Sequence, residues 1–251
     1  MYLASFLHVL WYLGLFHYVL WYLVPPLVPV FHHPKSTIRQ ISIYISCFLI
    51  FGLKENSKLF LLLFLGALSA FGPFVTDLYL PALPAITEWF STSVSATQLT
   101  LTTSMAGLAI GQLIVGPISD KFGRKIPLTI SLIIYTISTI FIFFAQNIQF
   151  FIFMRIIQGL ASAGSLVISR AVVSDLYKGH EMTKFFSLMM VVNGLAPIFS
   201  PIGGSLLLKF TDWRGIFMAL TIIGILLFIA NFYFKESLSP ANRLKVPLFQ
   251  T

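Results

Sequence analysis

The feature that most constrains this chain is a charge-free stretch that is too long for one membrane helix. No Asp, Glu, Lys or Arg occurs between Ile126 and Met154. A spanning helix needs about 20 residues, so this stretch must contain parts of two helices. Gln146, Asn147 and Gln149 mark the turn between them. The chain has a mean hydropathy of +0.91 and only 10% charged residues, whereas soluble domains carry about a quarter. The composition therefore predicts helices that lie in lipid.

Apolar segments of spanning length continue along most of the chain and are separated by short polar or charged turns. Six of them are predicted, at approximately 59–83, 97–118, 126–145, 149–174, 185–208 and 214–234. This pattern predicts an all-α membrane protein, in which residues 58–234 form a bundle of six transmembrane helices.

The distribution of basic residues predicts the orientation of this bundle. The formal charge is +8, but the basic side chains lie in short turns and not along one face, so a nucleic-acid partner is not expected. Lys209 and Arg214 occupy one set of loops, whereas ten basic residues occupy the opposite set: Lys54, Lys58, Lys121, Arg124, Lys125, Lys178, Lys184, Lys235, Arg243 and Lys245. By the positive-inside rule, both ends of the six-helix unit are expected in the cytoplasm. The expected location is a multi-pass position in the cytoplasmic membrane.

Two segments lie outside the predicted bundle. Residues 1–57 form an aromatic-rich and then Pro-containing extension that lacks the basic start and cleavage site of a signal peptide. Its first part, 1–24, could form an extra span, but we favour translated upstream sequence, with the working protein starting near Leu53 or Lys54. Residues 235–251 are polar and basic, as at the start of a cytoplasmic linker.

The turn GPISDKFGRK at 116–125 carries the first family signature. It closely resembles the loop between the second and third spans of major facilitator superfamily transporters. Four further elements match the same superfamily. TDLYLPALPAI at 76–86 resembles the first-helix signature of its twelve-span drug/proton antiporters, RIIQG at 155–159 resembles its R-x-x-Q-G element, and residues 194–204 resemble its antiporter motif. SRAVVSDLYKGHE at 169–181 and DWRGIF at 212–217 are similar to the bicyclomycin-resistance (Bcr/CflA) subfamily. The resemblance implies the N-terminal half of a twelve-span fold, made of two inverted three-helix repeats.

Asp77 and Arg155 are the candidates for proton coupling and substrate binding. Asp77 is the only charge between Leu59 and Thr87, and an acid inside a membrane needs a partner, a proton or water. Counting along the two helices places Arg155 at a similar depth, where it could pair with Asp77, and both match family positions implicated in coupling. The alternatives are that Asp77 is a solvated helix cap and that Arg155 forms a purely structural ion pair.

The resemblance implies two further groups of functional residues. A cytoplasmic gate is expected at the inner turn and the end of the fourth span, although these charges could also act only as a membrane anchor; its residues are Gly116, Asp120, Gly123, Arg124, Lys125 and Asp175. Bending or close packing of the fifth span is expected at the antiporter-motif residues Gly194, Pro197, Pro201, Gly203 and Gly204. Candidates to line a cavity are Tyr79, Gln98, Met105, Gln112, Gln158 and Asn193.

These observations predict proton-coupled efflux of amphipathic small molecules by the N-terminal half of a carrier. The expected partners are the lipid bilayer, the substrate, and a missing C-terminal half or a second copy. The alternatives are a truncated fragment without function, or a six-span half-carrier that works only as a dimer. The coupling ion is a proton, and no cofactor or metal is expected, because the single cysteine and five histidines show no ligand spacing. No nucleophile–base constellation points to an enzyme.

Overall fold

The computed structural model describes residues 57–244. The predictions for residues 1–56, including the extra span at 1–24 and the start near Leu53 or Lys54, lie outside the described residues. The part of the predicted linker beyond residue 244 also lies outside them.

All regular secondary structure in the described part of the chain is helical. Seven α-helices follow one another along it: α1 (Lys58–Asp77), α2 (Leu83–Trp89), α3 (Val94–Phe122), α4 (Lys125–Phe143), α5 (Ile148–Leu176), α6 (Gly179–Leu207) and α7 (Trp213–Tyr233). Single 3-10 turns lie at Leu80–Ala82 and Pro240–Asn242. With α1 and α2 taken as one unit, Lys58–Trp89, these residues contain six segments long and apolar enough to cross a membrane. The predicted all-α, six-span architecture is confirmed.

The first span differs from its predicted extent of 59–83. It is longer and is broken after Asp77 by the 3-10 turn. Proline has no backbone N–H, so Pro81 cannot donate to the carbonyl of Asp77, four residues earlier. Pro84 leaves the carbonyl of Leu80 without a helical donor in the same way. The break therefore follows from the sequence LPALP and places Asp77 at the end of α1.

Polar side chains define where the other helices begin. The side chains of Ser57, Ser93 and Asn147 accept hydrogen bonds from backbone N–H groups in the first turns of α1, α3 and α5. Asp212 caps α7 through the backbone N–H of Arg214, at 3.1 Å. Such caps satisfy donors that the helix itself leaves unpaired. They extend α3 and α5 slightly beyond the apolar segments predicted for them.

The helices pack in a pattern that matches two inverted repeats. α3 makes its most extensive contact with α5, and α6 makes its own with α1. If α1, α3 and α4 correspond to α5, α6 and α7, these two contacts are equivalent. α4 packs against both α5 and α7. α1 and α5 therefore form the centre, whereas α3 and α6 are the least buried, with 22% and 17% of their apolar windows buried against 61% for α5.

Two apolar clusters fill the bundle, one towards each end. The end that holds the turn between α3 and α4 is called the inner end here, after the predicted orientation, and its cluster contains Leu65, Phe71 and Phe234 among its members. The cluster at the outer end contains Phe151, Trp213 and other aromatic side chains. Arg155 lies where these two clusters meet, because it contacts Val75 of the first cluster and Tyr79 of the second.

Candidate functional site

Arg155 on α5 is fully buried, at 0% exposure. Its Nη1 group donates to the backbone carbonyl of Val75 on α1 at 3.2 Å and to Oε1 of Gln158 at 2.6 Å. Buried charges are normally stabilised by hydrogen bonds of this kind, because they have lost their hydration. The guanidinium therefore joins the central helices α1 and α5.

Aromatic rings cover the rest of the guanidinium. Its central carbon lies 4.2 Å from the ring centroid of Tyr79 and 5.9 Å from that of Phe217. The first distance is well within the range of a cation–π interaction. The Tyr79 hydroxyl is hydrogen-bonded to Thr100 on α3 at 2.9 Å. Tyr79 thereby holds the region after the break in the first span against both α3 and α5.

The polar cluster extends from Arg155 to α4. Gln158 Nε2 donates to the hydroxyl of Thr139 at 2.8 Å, and the fully buried Tyr135 lies beside these two side chains. Within the described residues, the Tyr135 hydroxyl and two donor groups of Arg155, Nε and Nη2, have no hydrogen-bond partner. Buried donors are rarely left unpaired. Arg155 therefore keeps two donor groups that no atom of the described residues accepts from.

Asp77 does not make the direct contact with Arg155 that its predicted depth suggested. Among residues 57–244 there is no ion pair between the two. The Asp77 carboxylate is half-buried and accepts from the hydroxyl of Thr76 at 3.1 Å. Val75 and Gln158 accept only from the Nη1 group of Arg155, and Asp77 does not reach the Nε and Nη2 groups, which have no partner among the described residues. Asp77 is neither a deeply buried partner of Arg155 nor a fully solvated cap.

The antiporter motif packs against this same break in the first span. A Cβ atom on Gly204 would overlap the backbone carbonyl of Leu78, so α6 approaches the chain directly after Asp77. Gly203 lies beside the Leu78 side chain, whereas a Cβ at Gly194 would meet open space. Pro197 and Pro201 both lie within α6. The motif therefore provides a close backbone contact at one glycine, and its other residues are more exposed.

The structure brings together only part of the predicted cavity set. Tyr79 and Gln158 are buried in the Arg155 cluster. Asn193 on α6 donates to the Ser69 hydroxyl on α1 at 3.0 Å. The three remaining candidates lie on α3, away from Arg155: Gln98 and Met105 are exposed and Gln112 is half-buried.

The second group of predicted residues meets at the inner turn between α3 and α4. Arg124 Nε donates to Asp175 at 2.8 Å and its Nη1 donates to Asp120 at 2.5 Å. The same Nη1 also donates to Ser119 at 2.8 Å. Burial by itself lowers the pKa of the Arg124 guanidinium, but the hydrogen bonds to Asp175 and Asp120 raise this pKa above its ordinary value. Arg124 is thus a permanently charged link between the turn and α5.

Other residues of the turn have structural positions of their own. Gly123 has a φ of +95°, which residues with a side chain rarely adopt. Lys125 Nζ donates to the carbonyl of Phe232 at 3.2 Å, and Gly116 makes no close backbone contact. Sequence reasoning missed Glu236, whose carboxylate accepts from the backbone N–H groups of Arg124 and Lys125. An acid just after the last span was the available signal in the sequence.

No cluster of potential metal ligands occurs in the described range. The geometry consists of a buried guanidinium in the bundle centre, a neighbouring acid at a helix break, and a charged turn at one end. This arrangement suits the movement of charge or solute through a membrane, since ionisable groups inside spans mark such pathways.

The comparisons with known proteins agree with this geometry. A family profile described as "Major Facilitator Superfamily" matches residues 59–248. The chain is 43% identical to the uncharacterized MFS-type transporter YdgK of Bacillus subtilis, over 75% of this chain and 48% of the relative. It is 32% identical to the bicyclomycin resistance protein homolog of Haemophilus influenzae, over 78% of this chain and 49% of that protein. The chain spans about half the length of the curated relatives it matches.

A solved structure supports the fold. The proton:xylose symporter XylE, bound to 6-bromo-6-deoxy-D-glucose, matches with a TM-score of 0.62 and 18% sequence identity. The match covers 70% of this chain and 44% of that structure, so it again corresponds to about half of the larger protein. This chain is therefore a multi-pass membrane protein that belongs to the Major Facilitator Superfamily of transporters.

Proposed function

We propose that this chain forms the N-terminal half of a proton-coupled efflux carrier of the bicyclomycin-resistance (Bcr/CflA) type. Its substrates would be amphipathic small molecules that leave the cell in exchange for protons. The name of the Haemophilus influenzae relative supports the drug-resistance class. The observation that carries the proposal is the buried Arg155 with two free donor groups, next to a membrane acid at the break in the first span.

The proposed coupling uses Asp77 and Arg155 as two sites with opposite charge preferences. In general, burial favours the protonated, neutral form of a carboxylic acid, whereas water or a nearby cation favours the carboxylate. The free Nε and Nη2 groups of Arg155 can bind an oxygen atom of the substrate or of the Asp77 carboxylate. Substrate that occupies these donors would keep the Asp77 carboxylate away from the cation and so change its proton affinity. Such a change is what exchange of substrate for a proton requires.

The membrane potential is an adequate source of energy for this exchange. One charge that crosses about 100 mV gains about 2.3 kcal/mol. Since each ~1.36 kcal/mol corresponds to a factor of ten, this supports a concentration ratio of roughly fifty. The proton is the only coupling ion in the proposal, and no cofactor takes part.

We propose that the transport-competent unit contains a second six-span bundle. The least buried helices, α3 and α6, supply the surface on which it would lie. That bundle would be a C-terminal half or a second copy of this chain. We further propose that both ends of the unit lie in the cytoplasm and that the carrier lies in the cytoplasmic membrane; the excess of basic residues in one set of turns supports this orientation by the positive-inside rule.

The proposal is tested with Asp77→Asn in everted membrane vesicles that contain this chain together with its second six-span bundle and carry an imposed proton gradient. The measured quantity is gradient-driven uptake of radiolabelled bicyclomycin. We expect Asp77→Asn to abolish this uptake while the amount of protein in the membrane stays the same. Glu88→Gln is the matched control, because Glu88 is an exposed acid on α2 of the same span. Gradient-driven uptake that survives in Asp77→Asn would remove Asp77 from the coupling mechanism.

A further inference from the structure

Glu236 lies in the short segment that follows α7 and reaches back to the inner turn. Its Oε1 accepts from the backbone N–H of Arg124 at 2.8 Å, and its Oε2 accepts from that of Lys125 at 3.1 Å. These two residues are the N-cap and the first residue of α4. One carboxylate thus binds two backbone donors that lie more than a hundred positions earlier in the chain.

This contact replaces a cap that α4 lacks. A helix N-terminus leaves backbone N–H groups unpaired, and its own N-cap side chain usually accepts from one of them. At α4 the N-cap residue is Arg124, which makes no side-chain cap hydrogen bond. Its guanidinium is instead directed to Asp120 and Asp175. Glu236 supplies the missing acceptors, and its negative charge is favourable at the positive end of the helix dipole.

The turn is shaped to receive this carboxylate. A Cβ atom on Gly123 would overlap the Glu236 side chain. The left-handed conformation of Gly123 and its missing side chain therefore serve the same contact. Glu236 is also half-buried, so competition from water for its oxygen atoms is reduced.

The same segment contacts both acids that bind the Arg124 side chain. The hydroxyl of Ser237 donates to Asp175 at 3.2 Å. The backbone N–H of Leu244 donates to the carbonyl of Asp120 at 3.0 Å. Residues 234–244 are therefore attached at three separate places, to the inner turn and to the adjacent ends of α3 and α5. Movement of this segment would displace the backbone of Arg124 and both of its acidic partners together.

We propose that Glu236 is the positioning residue of the inner gate, and that it transmits movement of the segment after α7 to Arg124. It acts through the backbone of Arg124 and does not contact substrate. The gating role of Arg124 rests on the proposed function, whereas the positioning of Arg124 by Glu236 can be measured without transport.

The chemistry predicts an order among substitutions of Glu236. A carboxylate accepts at both oxygen atoms, whereas the amide of Gln accepts at one and presents donors at the other. Gln therefore leaves one of the two N–H groups facing another donor. Asp keeps both acceptors and the charge but is one methylene shorter. Ala removes every acceptor. We therefore expect access of a thiol reagent to the inner end to increase in the order parent, Glu236→Asp, Glu236→Gln and Glu236→Ala.

The experiment measures thiol labelling of the full chain in membranes. Cys47, the only native cysteine, is replaced by Ser, and Ser169→Cys is the reporter, because Ser169 is fully buried on the inner part of α5. Loss of a charge-assisted hydrogen bond to the backbone should raise the labelling rate about tenfold in Glu236→Gln. Glu181→Gln is the control, since Glu181 is an exposed acid on the same side of the bundle, paired with Lys58. The control should label like the parent.

A double variant tests whether Glu236 acts through Arg124. If it does, Arg124→Gln alone raises labelling, and addition of Glu236→Gln raises it little further. Independent, multiplying effects would overturn the proposal, as would equal labelling of the Glu236→Asp, Glu236→Gln and parent proteins. Glu236→Asp retains a carboxylate and serves if Glu236→Gln does not accumulate in the membrane. Thiol labelling reports the position of Arg124 and needs no transport, so a failure of proton coupling in the vesicle assay is distinguishable from a failure of this proposal.

Discussion

The backbone-to-backbone contact between α3 and α5 gives a prediction whose size can be worked out from the structure. A Cβ atom built on Gly159 of α5 would overlap the backbone carbonyl of Ser104 on α3 and would lie 3.1 Å from the backbone nitrogen of Leu108. The reverse contact is equally tight, since a Cβ on Gly107 would overlap the carbonyl of Ile156. These neighbours are backbone atoms and cannot rotate away. Gly159→Ala must therefore push α3 and α5 apart.

A matched control separates the destabilisation caused by overpacking in Gly159→Ala from the effect of helix propensity. Replacing Gly by Ala within a helix gains up to about 1 kcal/mol from propensity, whereas overpacking costs about 1–3 kcal/mol. Gly194 lies within α6, and a Cβ there would meet no atom within 4 Å. Gly194→Ala should gain stability from helix propensity without the destabilisation caused by overpacking. The difference between the two variants therefore estimates the overpacking cost, about 1–3 kcal/mol.

The assay is thermal unfolding of the purified chain in detergent, followed by loss of the monodisperse peak in size-exclusion chromatography. One kcal/mol shifts the melting temperature of a chain of this size by about 2–4 °C. Gly159→Ala should therefore melt at least a few degrees below Gly194→Ala. Equal melting temperatures would refute the inference that α3 and α5 meet backbone to backbone at this glycine.

Two further substitutions test contacts at opposite ends of the bundle. Arg214 lies 4.4 Å from the ring centroid of Trp89 and 5.0 Å from that of Trp213, so Arg214→Gln should destabilise the chain by about 0.5–2 kcal/mol. The loss should appear as a lower melting temperature and a red shift of tryptophan emission, and unchanged values would contradict the stacking. Lys58→Ala breaks the ion pair with Glu181, but both side chains are largely exposed. We expect no measurable change in melting temperature, because exposed pairs contribute little; a clear decrease would show that this pair matters.

Much of the architecture was predictable because membrane insertion is a local, one-dimensional constraint. The charge-free run from Ile126 to Met154 must divide into two spans, and Asn147 in its middle caps the second of them. The break after Asp77 follows from the prolines at 81 and 84, although the predicted first span ignored it. Each of these features depends on neighbouring residues only.

The Arg155 cluster was predictable in part. A single arginine in an apolar segment must be buried with partners, and its burial is complete. Equal depth, however, does not fix the direction in which a side chain points. The sequence thus predicted that Asp77 and Arg155 lie at a similar depth in the membrane. The guanidinium of Arg155, however, binds Gln158 and the backbone of Val75. Side-chain direction depends on helix rotation, which is decided by the packing of all neighbouring helices.

The sequence by itself determined how many membrane spans residues 58–234 form, roughly where they start and end, and which rare charges they contain. It did so because lipid penalises every unpaired polar group along each segment separately. Only the tertiary structure decided the partners of Arg155, the contact of Gly204 with Leu78, and the capping of α4 by Glu236. Such contacts join residues far apart in the chain, either through one hydrogen bond or through a close approach of two backbones at one glycine. They form only when the helices pack, and they leave no periodic pattern in the sequence from which they could be predicted.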